Sequence, residues 1–442
     1  MAMTDRNEVD EQGRGPSQAD PVAQEGTFGA LRVPLFRLLW IGGVFSFLSV
    51  QMQFMVRGFL AFELTGTNSS LGLVYLGFGV PMLVASPFGG VAADRLGKRR
   101  VIIAGQLIIT AISTSIGLAI VLDIIEFWML VVSAMLQGLA FSFFGPARVA
   151  FTAQLAGREN LGNAMVLSQM ALNGTRIFGP SLAGVLVGVA VIGTNGVYFI
   201  TAGIMLLSLI VTLRLPPGEP LGPGSGKNPL ADLIDGVRYI RSRPRLLVLM
   251  ATSFTVVMVG FPYFAFFPSL VGDVFGILDE DIRARAIGGL STTQAIGAVL
   301  ATIVVARRAT GDRVWIEQAR WGLAFGASIV LLAFAPGFGF ALVAVALAGA
   351  ASSGFQALNN ALVMTKADPE YHGRVQSLMM IAFGAFGIAA APIGIIADRI
   401  GLRQTLTIMG GLVAVALMAC LVAWQRVGEY AQGSEPASPA AD

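Results

Sequence analysis

"GGVAADRLGKRRVII", residues Gly89–Ile103, lies between two long apolar runs. It gathers one acid and four bases within Asp94–Arg100 and sets Gly90 and Gly97 around the acid. A knot this polar between runs this apolar reads as a wet turn joining two helices. The rest of the chain agrees. Of its 442 residues, 55% are hydrophobic and only 12% charged, against about 25% charged in a typical soluble protein. Such a chain cannot give itself a polar coat, so most of it must face lipid. The net charge of +3 does not suggest a nucleic-acid partner, because the bases come in short clusters between apolar runs. Cys420 is the single cysteine and sits in an apolar run, which excludes a disulfide framework. Residues 1–30 are polar and acid-rich, without the apolar core of a signal peptide; they read as a disordered tail.

A bilayer core takes about 20 apolar residues per helix. Twelve segments qualify: 36–62, 69–92, 101–122, 127–147, 161–189, 195–214, 246–271, 286–306, 316–336, 338–365, 373–397 and 403–425. The turns after the even-numbered spans hold eighteen lysines and arginines, against four after the odd-numbered ones. This bias puts both termini and the even turns in the cytoplasm. After span 6, "LPPGEPLGPGSGKNP" (Leu215–Pro229) is a Pro/Gly linker. "LADLIDGVRYIRSRPR" follows, with Leu230, Leu233, Ile234, Val237 and Ile240 at helical spacing; a short amphipathic helix on the membrane surface is expected. The Gly-rich "GPGSGKN" is not a phosphate loop, since its spacing is short by one and no strand precedes it.

The expected fold is therefore an all-α membrane protein of twelve transmembrane helices in two pseudo-symmetric six-helix halves. The parts are a cytoplasmic tail (1–34), an N-terminal half (35–214), a linker with its short helix (215–245), a C-terminal half (246–425) and a second disordered tail (426–442). "FGPAR" (Phe144–Arg148) echoes "FQALN" (Phe355–Asn359), and "GNAMVLSQM" (Gly162–Met170) echoes "GRVQSLMM" (Gly373–Met380), both at an offset of 211 residues. A constant offset suggests a duplicated half.

The knot reads Gly90-x-x-x-Asp94-Arg95-x-Gly97-Lys98-Arg99. Together with twelve spans and a central cytoplasmic linker, it resembles the signature of the major facilitator superfamily at every specified position. The resemblance implies that Asp94 latches the two halves on the cytoplasmic side. Arg148 is its expected partner within the half, and the start of span 11 near Gly373 its expected partner across halves. A plain positive-inside anchor would explain the bases but neither Asp94 nor the glycines. "GIIADRIG" (Gly394–Gly401) repeats the pattern after span 11, on the opposite side by the count of bases. Asp398 and Arg399 there are either an external latch or a chance repeat.

Ionisable groups inside a span are costly and usually functional. Span 1 carries Ser46, Ser49, Gln53 and Arg57 on one face, and span 5 carries Gln169, Asn173, Arg176 and Pro180 on another. Two readings stand. The faces line a cavity whose arginines attract an anionic or strongly hydrogen-bonding substrate, or the arginines brace helices against one another. Gln137, Gln294, Gln356, Asn359 and Asn360 are further pathway candidates, with interhelical hydrogen bonding as the simpler role for each.

"GTRIFGPSLAG" (Gly174–Gly184) is similar to the superfamily's antiporter motif through Gly179, Pro180 and Gly184, with Ala183 in place of one glycine. At Gln137-Gly138, Ala134 stands where drug/proton exporters of this superfamily usually carry arginine. Across residues 35–425 the chain looks most like the bacterial enterobactin-exporter and macrolide-efflux branch. That resemblance implies a monomeric transporter in the bacterial plasma membrane that exports a drug-like or siderophore-like small molecule against protons. It implies no enzyme activity, cofactor or metal. An uptake symporter and a non-transporting sensor or scaffold of the same fold are the alternatives.

Overall fold

The computed structural model describes residues 28–218, 229–308, 314–368 and 371–433. Most of the two expected tails lies outside the described residues. What is described is helix joined by short turns, with no strand among the described residues. The order is α1 (Pro34–Thr65), α2 (Asn68–Leu96), α3 (Lys98–Val121), α4 (Phe127–Val187), α5 (Gly193–Leu213), α6 (Pro229–Ser242), α7 (Pro244–Thr255), α8 (Glu280–Arg308), α9 (Val314–Ala333), α10 (Phe338–Lys366), α11 (His372–Ile400) and α12 (Leu402–Gly433). In hydrocarbon every backbone N–H and C=O must be satisfied within its own segment, which is why helix prevails. Among the described residues, eight helical segments are long and apolar enough to cross a membrane. Large apolar side chains such as Leu107, Leu207, Val343 and Val415 stay exposed on the outside of the bundle, as lipid-facing residues do.

Two helices depart from regularity for local reasons. α4 breaks at Gly157, whose φ of 75° only glycine adopts cheaply. The break separates a first arm, 127–156, from a second, 158–187. α7 continues past Thr255 to Val274, but as π turns at 256–260 and 270–274 around a 3-10 stretch at 261–266. Pro262 and Pro268 lack the N–H that an α-helical ladder needs there.

Lipid supplies no hydrophobic drive between helices, so close packing and small residues hold them. α2 and α11 run antiparallel with glycines in the seam: a Cβ on Gly79 would sit 2.6 Å from the Gly384 carbonyl oxygen, and one on Gly72 2.6 Å from Ala391 Cα. Gly138 of α4 lies against the Phe78 carbonyl of α2, and Gly349 of α10 against the Gln294 carbonyl of α8. Two ends of the bundle are thereby defined. The basic end carries Lys98, Arg148 and Arg214; the opposite end carries Asn68, Arg283 and Asp398.

The helix expected on the membrane surface forms, but it is docked. Asp235 accepts from Arg374 at 2.6 Å, Arg243 donates to Asp368 at 2.8 Å, and Tyr239 stacks on Tyr371 at 3.9 Å. α6 is thus fastened to the basic ends of α10 and α11, while Ile234, Val237, Arg238 and Arg241 remain exposed.

Gly138→Val should lower the thermal midpoint of the detergent-solubilised protein, because overpacking costs about 1–3 kcal/mol and the obstacle here is backbone. Gly203→Ala, with nothing within 4 Å of the new carbon, should leave the midpoint unchanged or slightly raised.

Candidate functional site

The polar face of α1 is interior. Ser46, Ser49, Gln53 and Arg57 are all fully buried. Ser46 bonds Ser208 (2.6 Å), Ser49 donates to the Thr201 carbonyl (2.8 Å), and Gln106 of α3 donates to Ser208 and Thr212 (2.7 and 3.0 Å). A second group joins α1 to α4. Gln53 donates to Ser49 (3.1 Å), Gln137 to Gln53 (3.2 Å), and Arg57 to Gln137 Oε1 (2.5 Å). This is a dry hydrogen-bonded seam joining α1 to α3, α4 and α5. In this conformation Gln53, Arg57 and Gln137 line no open surface, which favours bracing for all three.

The second arm of α4 behaves differently. Gln169, Asn173 and Arg176 are exposed, with Gln169 donating to Asn173 at 3.3 Å. The same helical strip continues as Ala183 and Val187, which are 0% and 2% exposed. One face of one helix is therefore open towards the basic end and sealed towards the other. The lipid side is a separate face, marked by exposed Phe178, Leu182 and Val185. α8 packs beside the sealed part of the strip. Gly184 lies against Gly288, Thr292 donates to Ser181 at 2.6 Å, and Arg285 donates to the Gly188 carbonyl. Gly179 of the antiporter-like motif lets α4 approach α1, since a Cβ there would stand 2.6 Å from Gln51 Cβ. Pro180 sits in the helix without breaking it.

α1 and this arm run parallel, with Trp40 Nε1 donating to the Leu167 carbonyl at 2.8 Å and Gln51 beside Gly179. That register sets Arg176 level with the turn of α1 that holds Phe47 and Gln51. Phe47 belongs to a run of buried and half-buried aromatic rings. It contacts Phe141 and Phe144; Phe141 contacts Phe78; Phe78 contacts Phe54 at 4.8 Å; Phe54 stacks on Tyr75; and Tyr75 reaches Phe386 of α11 at 5.3 Å. Polar spacing within apolar spans does not single out these rings. Their spacing (47 and 54; 75 and 78; 141 and 144) places each pair on one helix face, which was the available signal.

The remaining candidates divide as follows. Asn359 is buried and accepts from Gln318 at 3.0 Å. Gln294 and Gln356 are half-buried, and Asn360 is exposed. At the knot, Gly97 has φ 84° and starts α3 immediately after α2. Arg99 donates to the carbonyls of Thr212 and Leu213, the acceptor-rich end of α5. Lys98 is buried and Arg95 exposed. Arg148 enters a slot that exists because residue 43 is glycine, donates to the Leu39 carbonyl, and lies over the Phe47 and Phe144 rings at 5.4 and 5.9 Å. α2 includes Gly90 and Asp94, but the surroundings of these two residues, like those of Gly373, are not described. Among the described residues no cluster of His, Cys, Asp and Glu has the makings of a metal site.

Residues 39–392 match the family model of the Major Facilitator Superfamily. Macrolide efflux protein A of Streptococcus pyogenes is 24% identical over 393 residues, covering 87% of this chain and 95% of that protein. The multidrug efflux pump Tap of Mycolicibacterium fortuitum is 27% identical over 388 residues, 81% and 89% of the two chains. The staphyloferrin A transporter of Staphylococcus aureus is 24% identical over 348 residues, 77% and 84%. In fold the chain is similar to the nucleoside transporter NupG (TM-score 0.67, 15% identity, 88% of this chain and 99% of that one). It is also similar to a bacterial homologue of the human lysosomal transporter Spinster in an inward-facing, unoccupied conformation (TM-score 0.69, 14% identity, 92% and 99%). With most of its length matched by the family model, and a bundle of membrane-crossing helices to go with it, the chain belongs to the Major Facilitator Superfamily.

Proposed function

We propose that this protein is a bacterial plasma-membrane exporter that moves a small amphipathic organic molecule by alternating access, as a monomer with protons as counter-ions. Its twelve spans form two halves, 35–214 and 246–425, and both termini face the cytoplasm. Counting the two arms of α4 separately, α7 with its irregular continuation as one segment, and leaving out the short α6, supports twelve. The paired glycines support the duplication: Gly138 and Gly349 stand 211 residues apart and each rests on a carbonyl of the neighbouring helix. The base-rich end supports the orientation.

The observation that carries the transport reading is the strip on the second arm of α4, open at Gln169, Asn173 and Arg176 and closed at Ala183 and Val187. A cavity open to one side and sealed on the other is one of the two states that alternating access requires. With the basic end cytoplasmic, the state is inward-open. Export is supported by the relatives named as efflux proteins. The aromatic run beside a guanidinium suits a molecule with a flat or apolar body and a carboxylate or other strong acceptor. We assign Arg176 to that acceptor, and Arg57 to holding α1 against α4.

Everted vesicles energised with a proton gradient, acidic inside, should accumulate carboxyfluorescein faster than the cation ethidium, and an uncoupler should abolish the difference. Equal or absent accumulation of both dyes in the wild-type protein would sink the reading. Arg176→Ala should cut kcat/KM for the carboxylated dye about tenfold or more, the value of a hydrogen bond to a charged group, with the thermal midpoint unchanged. Arg57→Ala should behave the other way round. Leaving the buried Gln137 acceptor unpaired costs roughly 1–3 kcal/mol, so the loss should appear in thermal stability before it appears in dye affinity.

A further inference from the structure

Gly394, Asp398 and Gly401 repeat, at the opposite end of the bundle, the spacing of Gly90, Asp94 and Gly97. The first amides of any helix lack partners within the helix. α2 begins at Asn68, and its own N-cap residue, Thr67, provides no side-chain acceptor. The acceptor comes instead from 330 residues away. The backbone N–H groups of Asn68 and Ser69 donate to the Asp398 carboxylate at 2.7 and 2.9 Å, and Asn68 Nδ2 donates to it at 3.1 Å. Both the hydrogen bonds and the positive end of the helix dipole favour a carboxylate in this position. Gly394 makes the approach possible, because a Cβ there would meet the Asn68 carbonyl. Gly401, with φ 91°, ends α11 directly after the motif. Arg399 is exposed to solvent, so the carboxylate rather than the neighbouring base makes the contact.

We propose that Asp398 is an outer latch: it clasps the start of α2 while the cavity is open to the cytoplasm, and each reorientation of the carrier has to release this cap. The inference rests on the alternating-access reading above. Two other contacts join the same halves at the same end. Glu63 of α1 pairs with Arg283, and Arg285 holds the Gly188 carbonyl. Asp398 adds α2 and α11 to that closure and is the one whose partners are helix-terminal amides.

The latch does not double as a proton sensor. Asp398 borders a shallow vestibule of about 480 Å³ whose other charged lining groups are Asp273 and Arg403. Burial alone would raise its carboxyl, but the hydrogen bonds from Ser69 and Asn68 outweigh burial and hold it below the usual carboxylate range. A depressed carboxyl contributes fully above that range and loses its contribution only as pH falls through it. The clasp should therefore be constant from pH 8 to pH 5.

The test reads access, not transport. In a Cys420→Ser background, Ala390→Cys places a thiol at a fully buried position in the α2–α11 seam. A membrane-impermeant thiol reagent applied from outside should label it slowly. Asp398→Ala should speed labelling about five- to tenfold, the range of a lost helix cap, and Asp398→Glu should do so less, with the same rates at pH 8 and pH 5. An unchanged rate in Asp398→Ala, with the variant monodisperse, would overturn the proposal. If that variant fails to fold, Asp398→Glu decides, and wild-type labelling in it counts against the latch. No substrate enters this assay, so its failure leaves the export reading standing. Absence of dye flux in the wild-type protein would remove the export reading and leave the labelling comparison intact.

Discussion

Backbone-to-backbone contact at glycine is the constraint on which the bundle depends. Helices in lipid have dispersion and short-range hydrogen bonding to hold them, and both need close approach. Gly72, Gly79 and Gly387 bring α2 onto α11; Gly138 brings α4 onto α2; Gly349 brings α10 onto α8; Gly184 and Gly288 bring α4 onto α8. Remove the approach and the rest loses its footing. Asp398 no longer reaches the amides of α2, and the strip on α4 is no longer sealed at Ala183 and Val187. The glycines that permit packing are thus also those that decide which end of the molecule is closed.

Polarity inside the bundle is sorted into two kinds. The seam is buried and bonded in two groups, one around Ser46 and Ser208 and one running from Ser49 through Gln53 and Gln137 to Arg57. Most of these buried polar groups are paired and fix how α1 sits against its neighbours, while Arg57 Nε and Nη2 and Gln106 Oε1 have no hydrogen-bond partner among the described residues. The strip Gln169, Asn173 and Arg176 is exposed, and its bonds leave surface uncovered. A helix dense in polar residues is not by itself a pathway. What separates the two is whether another helix lies on top.

Much of this was legible in the sequence, and the rest was not for identifiable reasons. The long apolar runs and the knot at Asp94–Arg100 marked a helical membrane protein, because charge placement and hydropathy are local properties. The copy of the knot at Gly394–Gly401 was visible for the same reason. Periodicity put Gln53 with Arg57 and Asn173 with Arg176, but it treated the two faces as equivalent; burial depends on partners hundreds of residues away. The docking of α6 depended on Asp235 meeting Arg374 and Tyr239 meeting Tyr371, neither of which amphipathic spacing encodes. The irregular course after Thr255 was signalled by Pro262 and Pro268, whose effect was hidden inside an otherwise continuous apolar run. The aromatic run was hidden differently, since phenylalanine in a membrane span is unremarkable until several rings converge from separate helices.

The docking of α6 also changes how the chain between α5 and α7 works as a tether. With α6 pinned to α10 and α11 through Asp235–Arg374 and Arg243–Asp368, the segment from Pro229 onward travels with the later helices. The covalent leash from α5 is then the short Pro/Gly-rich stretch that begins after Arg214, not the whole segment up to Arg245. The two ion pairs therefore fix α6 to the helices that follow it in sequence rather than to α5.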